Sequence, residues 1–175
     1  FYLPGKIVHI DQDKSFLDKC MSFYKKNKIK AYGIYADNKY LSRNDSAVRL
    51  GSGSNIDLSS SNGGVGIYAN NTRLTGEGIL SVGNSGVGLY AKDSDVNLNN
   101  FTLNLNGDKA LGFYLDGNTN FTGNGNININ GQNVVLFNMN SSGAISNSFN
   151  VVSVAPGSTY TLGNITGGVF EYTGS

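Results

Sequence analysis

The chain of 175 residues has no tryptophan, one cysteine, one histidine and two prolines, and only 14% of its residues are charged. Each shortage closes a class. A single cysteine, Cys20, rules out an internal disulfide. No Cys/His cluster has zinc spacing, and no GGxGxDx calcium repeat occurs. No glycine loop opens a helix to cradle phosphate. No metal or cofactor is therefore expected. His9 is the only base for a Ser/His/Asp triad, and no nucleophile motif accompanies it. It reads as an ordinary strand residue. Cys20 reads as a buried thiol. No apolar run approaches the roughly 18 residues that a membrane helix needs. No leader is visible, and a chain running from FYLPGKIV to EYTGS reads as a piece of something longer.

What is present in excess is glycine (24 residues) and asparagine, about as frequent. Gly and Asn adopt the left-handed backbone of tight bends most easily. Apolar residues are spread in short runs between them. That is strand-and-turn chemistry. Net charge is +1 but uneven. Residues 1–50 hold ten Lys/Arg (Lys6, Lys14, Lys19, Lys25, Lys26, Lys28, Lys30, Lys39, Arg43, Arg49) against five Asp. The remainder is slightly acidic. The basic end reads first as a solvated helix face, with attraction of anionic partners as the alternative. Nucleic-acid binding would need Lys/Arg interleaved with aromatics, so no nucleic-acid partner is expected.

GVGIYA (64–69), GVGLYA (86–91) and LGFYL (111–115) recur at nearly constant distance. Three units align: 66–87, 88–111 and 112–134. Val65, Val87, Leu111 and Val134 form one apolar series, with Ile67, Leu89, Phe113 and Leu136 two residues on. Leu74, Val96 and Phe121 form a second. Leu80, Leu103 and Ile127, followed by Val82, Leu105 and Ile129, form a third. Within each series the apolar residues alternate at period 2. Three short strands per unit of about 23 residues imply coils that stack and bury one another's apolar sides. The expected fold is all-β, a right-handed parallel β-helix of roughly six coils, about 30 Å long at the strand spacing. Handedness rests on the general preference for right-handed crossovers. Upstream, Leu50, Ile56 and Leu58 sit 24 residues before Leu74, Leu80 and Val82. GIYA recurs at 33–36, with an inserted loop at Asp37–Ser46.

The domain division expected is an irregular segment at 1–30 and coils at 31–175. Within the first segment, Phe16, Leu17, Cys20, Met21, Phe23 and Tyr24 share a face at helical spacing. This predicts a short amphipathic α-helix over 14–26, capped by Asp13 and closed by Lys25, Lys26 and Lys28.

With Val65, Ile67 and Ala69 inward, Gly66 and Tyr68 point outward. The same phase puts Tyr68, Tyr90, Tyr114 and Phe137 in one outer column. They are either a stacking column or a platform for a sugar ring or a partner protein. Lys25 and Lys26 on the helix, and Arg43 in the inserted loop, are the other candidate contacts, because insertions in solenoids gather at binding faces. Asn104, Asn106, Asn128 and Asn130 suit hydrogen-bonded amide ladders. Asp93 and Asp95 form a carboxylate pair of the kind that a glycan-cleaving enzyme could use. Asp95 falls level with Arg73, however, and Lys92 with Asp116. Both read as cross-coil charge pairs.

GVGIYANN, GVGLYAKDS and GFYLDGN, with punctuated strands such as LTGEGILSVGNSG, resemble the passenger repeats of bacterial autotransporter adhesins, most closely the long fusobacterial outer-membrane type represented by RadD. The resemblance covers about residues 31–175. It implies a secreted, non-enzymatic virulence adhesin at the bacterial cell surface, attaching to a host or bacterial cell-surface protein or glycan. Membrane association would come only through a C-terminal barrel elsewhere in the protein. A structural spacer, a β-helical polysaccharide-degrading enzyme and a phage fibre are the alternatives.

Overall fold

From residue 47 onward, strands of this chain pair with strands one repeat away, not with their sequence neighbours. A computed structural model describes residues 7–9, 33–38 and 47–175. All pairings among them are parallel, and they form two seven-stranded sheets. The first contains β1 (Ile7–His9), β2 (Gly33–Asp37), β5 (Val65–Asn70), β7 (Val87–Lys92), β9 (Leu111–Gly117), β11 (Val134–Ser141) and β13 (Tyr160–Thr166). The second contains β3 (Ala47–Leu50), β4 (Asn55–Asn62), β6 (Arg73–Asn84), β8 (Asp95–Leu105), β10 (Asn120–Ile129), β12 (Ala144–Val154) and β14 (Val169–Tyr172). The molecule is an all-β parallel solenoid.

The second and third apolar series lie on one bent strand in β6, β8 and β10, and on two separate strands, β3 and β4, only in the coil before them. The bend appears as register shifts at Gly76/Gly78 in β6 and Gly123/Gly125 in β10. Gly125 has φ +150°, and a Cβ there would sit 1.9 Å from the Phe101 carbonyl oxygen. Only glycine lets the chain cross so close to the coil below.

The other corners repeat a left-handed residue. Asn71, Asp93 and Gly117 occupy one corner on successive coils, at φ of 50, 48 and 61°. Gly63, Ser85, Lys109 and Asn133 occupy another, at 69, 52, 57 and 55°. Beside the first corner runs a buried hydroxyl column, Thr72, Ser94, Thr119 and Ser141. Each hydroxyl after the first accepts the backbone N–H of the residue below it: Thr72 to Ser94 Oγ (3.1 Å), Ser94 to Thr119 Oγ1 (3.3 Å), Thr119 to Ser141 Oγ (3.0 Å). The column satisfies backbone donors that the corner would otherwise strand away from water.

The apolar series line one interior. Ile67, Leu89, Phe113, Leu80, Leu103 and Ile127 are all fully buried. Two details of register differ from expectation. Val48, not Leu50, lies level with Leu74, and Leu50 meets Gly76. Val135 and Phe137, not Val134 and Leu136, lie level with Leu111 and Phe113. Gly66 also turns inward, not outward: a Cβ there would meet Leu80 Cδ1 at 2.5 Å and the Gly88 oxygen at 2.8 Å. Gly88 and Gly112 repeat this close approach to the carbonyl of the next coil, at 2.6 Å each. The recurring Gly of GVGIYA and GVGLYA therefore marks where the wall runs too tight for a side chain.

The segment expected as a helix at 14–26 lies outside the described residues. β1 falls within the first thirty residues, and its Ile7, Val8 and His9 pair with Gly33, Ile34 and Tyr35.

Candidate functional site on the tyrosine face

The outer face of the first sheet carries the most regular side-chain array among the described residues. Strand pairing sets Tyr35 level with Tyr68, Tyr68 with Tyr90, and Tyr90 with Tyr114. The strand spacing of about 4.8 Å matches the thickness of stacked rings. Ring centroids are accordingly 4.7, 5.2 and 5.1 Å apart, with interplanar angles of 7, 7 and 28°. Each stacked pair contributes on the order of 0.5–1.5 kcal/mol beyond burial. Tyr68 and Tyr90 each have a ring on both sides, so their edges and hydroxyls face outward.

Carboxylates two residues on tie the array down. Tyr35 donates its hydroxyl to Asp37 Oδ2 (3.1 Å), and Asn70 Nδ2 donates to Asp37 Oδ1 (2.9 Å). Tyr90 donates to Asp116 Oδ2 at 3.0 Å. Asp116 Oδ1 accepts from the Gly117 amide (2.9 Å) and Asn140 Nδ2 (3.2 Å). Burial, reinforced by the hydrogen bond to Asp116, pushes the Tyr90 hydroxyl well above the ordinary tyrosine range. It stays protonated and is a poor proton donor at neutral pH.

Phe137 does not belong to this column. It is fully buried and stacks on Phe113 at 5.0 Å, while Asn138 takes the level above Tyr114. The reason lies in the run Val134–Val135–Leu136–Phe137, which offers an apolar residue at every position. The larger ring wins the interior, where Phe113, Phe121, Phe149 and Phe170 surround it or its partners. Tyr35, not singled out in the sequence, is the member that the column gains. GIYA at 33–36 was the signal for it. Lys25, Lys26 and Arg43 lie outside the described residues.

The carboxylate pair is occupied structurally. Asp93 Oδ1 accepts the Asn118 amide at 2.8 Å, and Asp95 Oδ1 accepts Asn120 Nδ2 at 2.9 Å. Asp95 is level with Arg73, and Lys92 with Asp116, as the spacing implies. Amide ladders run up the second sheet: Asn104 donates to Ser81 (3.0 Å), Asn128 to Asn104 (2.8 Å), Asn130 to Asn106 (2.7 Å). A shallow hollow of about 350 Å³ lies beside the bend, lined by Asn100, Asn124, Asn126, Ser148 and Asn150. Among the described residues no three His, Cys, Asp or Glu side chains converge on a metal position. The described face thus carries interlocked side chains.

Comparison with known proteins finds similarity at the N-terminal end of the chain. Residues 1–48 match the family described as YabG peptidase U57. The sporulation-specific protease YabG of Bacillus subtilis (strain 168) is 43% identical over 42 residues, which are 24% of this chain and 14% of that protein. The chain thus aligns with about a seventh of its relative's length. No solved structure matches.

These matches overturn the autotransporter reading. The resemblance to fusobacterial adhesins, the non-enzymatic role in attachment, the virulence and secretion that accompany it, and the outer-membrane and cell-surface location all give way to similarity with a sporulation protease. The alternatives of a spacer and of a polysaccharide-degrading enzyme fall with them. The physical reason is that Gly-x-Tyr-Ala and its Asn-rich turns report coil geometry. Tight walls, left-handed corners and stacked rings recur wherever strands stack in register, whatever the protein does. The solenoid itself stands.

Proposed function

We propose that the protein is a peptidase of the YabG kind, with residues 1–48 forming part of its peptidase portion and the coils serving as the rigid body to which that portion is joined. The single observation that carries this reading is the similarity of residues 1–48 to the YabG peptidases. Two features support it. β1 and β2 lie inside the matched segment, yet they form the first strands of the first sheet, with Ile34 level with Ile67 and Ala36 with Ala69. These described strands of the matched segment are therefore hydrogen-bonded into the solenoid. In addition, His9 and Cys20, the chain's only imidazole and only thiol, both fall within residues 1–48. An imidazole that activates a thiol is a common way for a peptidase to make its nucleophile.

The test is cleavage of an unfolded polypeptide such as casein by the intact protein, alongside His9→Ala and Cys20→Ala variants. The reading expects cleavage, with each substitution lowering the rate by a factor on the order of 10² or more if thiol chemistry operates. Cleavage that survives both substitutions but stops with a serine-directed or chelating inhibitor would keep the peptidase and discard the thiol. Absence of cleavage by the intact, folded protein counts against the peptidase reading.

A further inference from the structure

The column of Tyr35, Tyr68, Tyr90 and Tyr114 continues below Tyr35. Strand pairing sets His9 level with Tyr35, so the chain's only imidazole occupies the next position of the same column. One line of levels thus runs from His9, inside the segment that matches the peptidases, to Tyr114. At about 4.8 Å per level, the steps from His9 to Tyr114 span roughly 19 Å, the length of about six residues of extended chain. Two further rows accompany the rings. Val65, Val87 and Leu111 lie level with one another, three residues before Tyr68, Tyr90 and Tyr114, and are half-buried. Asp37, Asn70, Lys92 and Asp116 lie level two residues after the rings. Along the strands β5, β7 and β9, an apolar residue therefore precedes each ring and a polar one follows it.

We infer that, given a peptidase in residues 1–48, this column is the track on which an unfolded polypeptide substrate is held for cleavage. The rings decide the class of occupant. Tyr68 and Tyr90 are each stacked on both sides, so their electron-rich faces are taken. A sugar packs its C–H groups on such faces and has no seat there. What remains outward is ring edge, which is electropositive and attracts carbonyl oxygen. An extended polypeptide presents a carbonyl at every residue, apolar side chains for the row of Val65, Val87 and Leu111, and N–H donors for Asp37 and Asp116. The Tyr90 hydroxyl is held by Asp116, so its ring edge and not its proton meets the substrate.

Fluorescently labelled casein and the intact protein test this with two readouts: binding, from anisotropy in the first moments after mixing, and the kinetics of cleavage. Tyr68→Asn with Tyr114→Asn removes two of the rings, and Asn138 already places asparagine at this position one coil on. With an unchanged far-UV spectrum, the double variant should bind casein at least about tenfold more weakly. KM should rise by a similar factor while kcat stays within about twofold, because the rings hold substrate and do no chemistry. Should the double variant fail to fold, Tyr114→Asn alone should raise KM about threefold or more. Unchanged binding and KM in a folded variant overturn the track and leave the peptidase standing. Casein held through the rings but never cleaved supports the track and counts against the peptidase. Failure of the intact protein to bind casein, binding of dextran in its place, or a fall in kcat with KM unmoved would each overturn the inference.

Discussion

Residues 1–48 and the coils that follow carry different kinds of information. The coils speak in repeats. Ile67 over Leu89 over Phe113, Tyr68 over Tyr90 over Tyr114, and Asn104 over Asn128 are statements about stacking, and the fold follows from them. In the first 48 residues the repeat is confined to GIYA at 33–36 and the start of β3, yet this segment carries the similarity to a peptidase. Texture that is loud about architecture is silent about role. The segment that carries the similarity is the one in which spacing repeats least.

This contrast predicts that the two regions respond to different substitutions. Changes in the coils should move stability and leave any peptidase chemistry per folded molecule intact. The largest effect is expected at Phe137, fully buried against Phe113. Phe137→Ala should cost about 3–5 kcal/mol, read as a lowered unfolding midpoint in denaturant. Gly125→Ala comes next, at roughly 3 kcal/mol, since it adds a clash with the Phe101 carbonyl to a backbone angle that side chains avoid. Tyr90→Phe keeps the ring stack and deletes the hydrogen bond to Asp116, for a loss of about 1 kcal/mol. Its hydroxyl also sets a pH limit. Because the folded protein holds Tyr90 protonated beyond the ordinary tyrosine pKa of about 10, its contribution is intact below that value and is lost as pH rises above it, through the higher folded pKa. Wild-type stability should therefore fall with rising alkali more steeply than that of Tyr90→Phe. The smallest effect has the opposite sign. Lys109 holds a left-handed corner at φ 57°, and Lys109→Gly should stabilise by about 0.5–1 kcal/mol, a rise of a few degrees in Tm. If any of these coil variants altered casein cleavage beyond its effect on the folded fraction, the division between the regions would blur.

Much of the fold was legible because stacking writes the same residue class at the same distance. The level of Arg73 with Asp95, of Lys92 with Asp116 and of Leu80 with Leu103 follows from spacing alone. The failures came where spacing was ambiguous. At Val134–Phe137 every position is apolar, so period 2 gives no phase, and volume decides that Phe137 goes inside. At Val48 and Leu50 either residue fits the series, so spacing gives no choice between them, and the pairing sets Val48 level with Leu74. Gly66 could not be phased because it has no side chain to classify; only the approach of Leu80 and Gly88 reveals its direction. The peptidase similarity was not legible from periodicity, since what recurs in residues 1–48, GIYA and the start of β3, reports only the coils.

The most direct measurement of the central claim is a graft. Residues 1–48 of this protein would replace the aligned segment of the B. subtilis protease, and cleavage by the folded chimera would be compared with that of its parent. If the segment carries peptidase character independently of the coils, the chimera retains activity within about tenfold of the parent, a difference of about 1.4 kcal/mol in transition-state stabilisation. A folded chimera whose cleavage falls by about a thousandfold or more would show that the similarity is one of sequence without the chemistry, and the division of labour drawn between the two regions would fail.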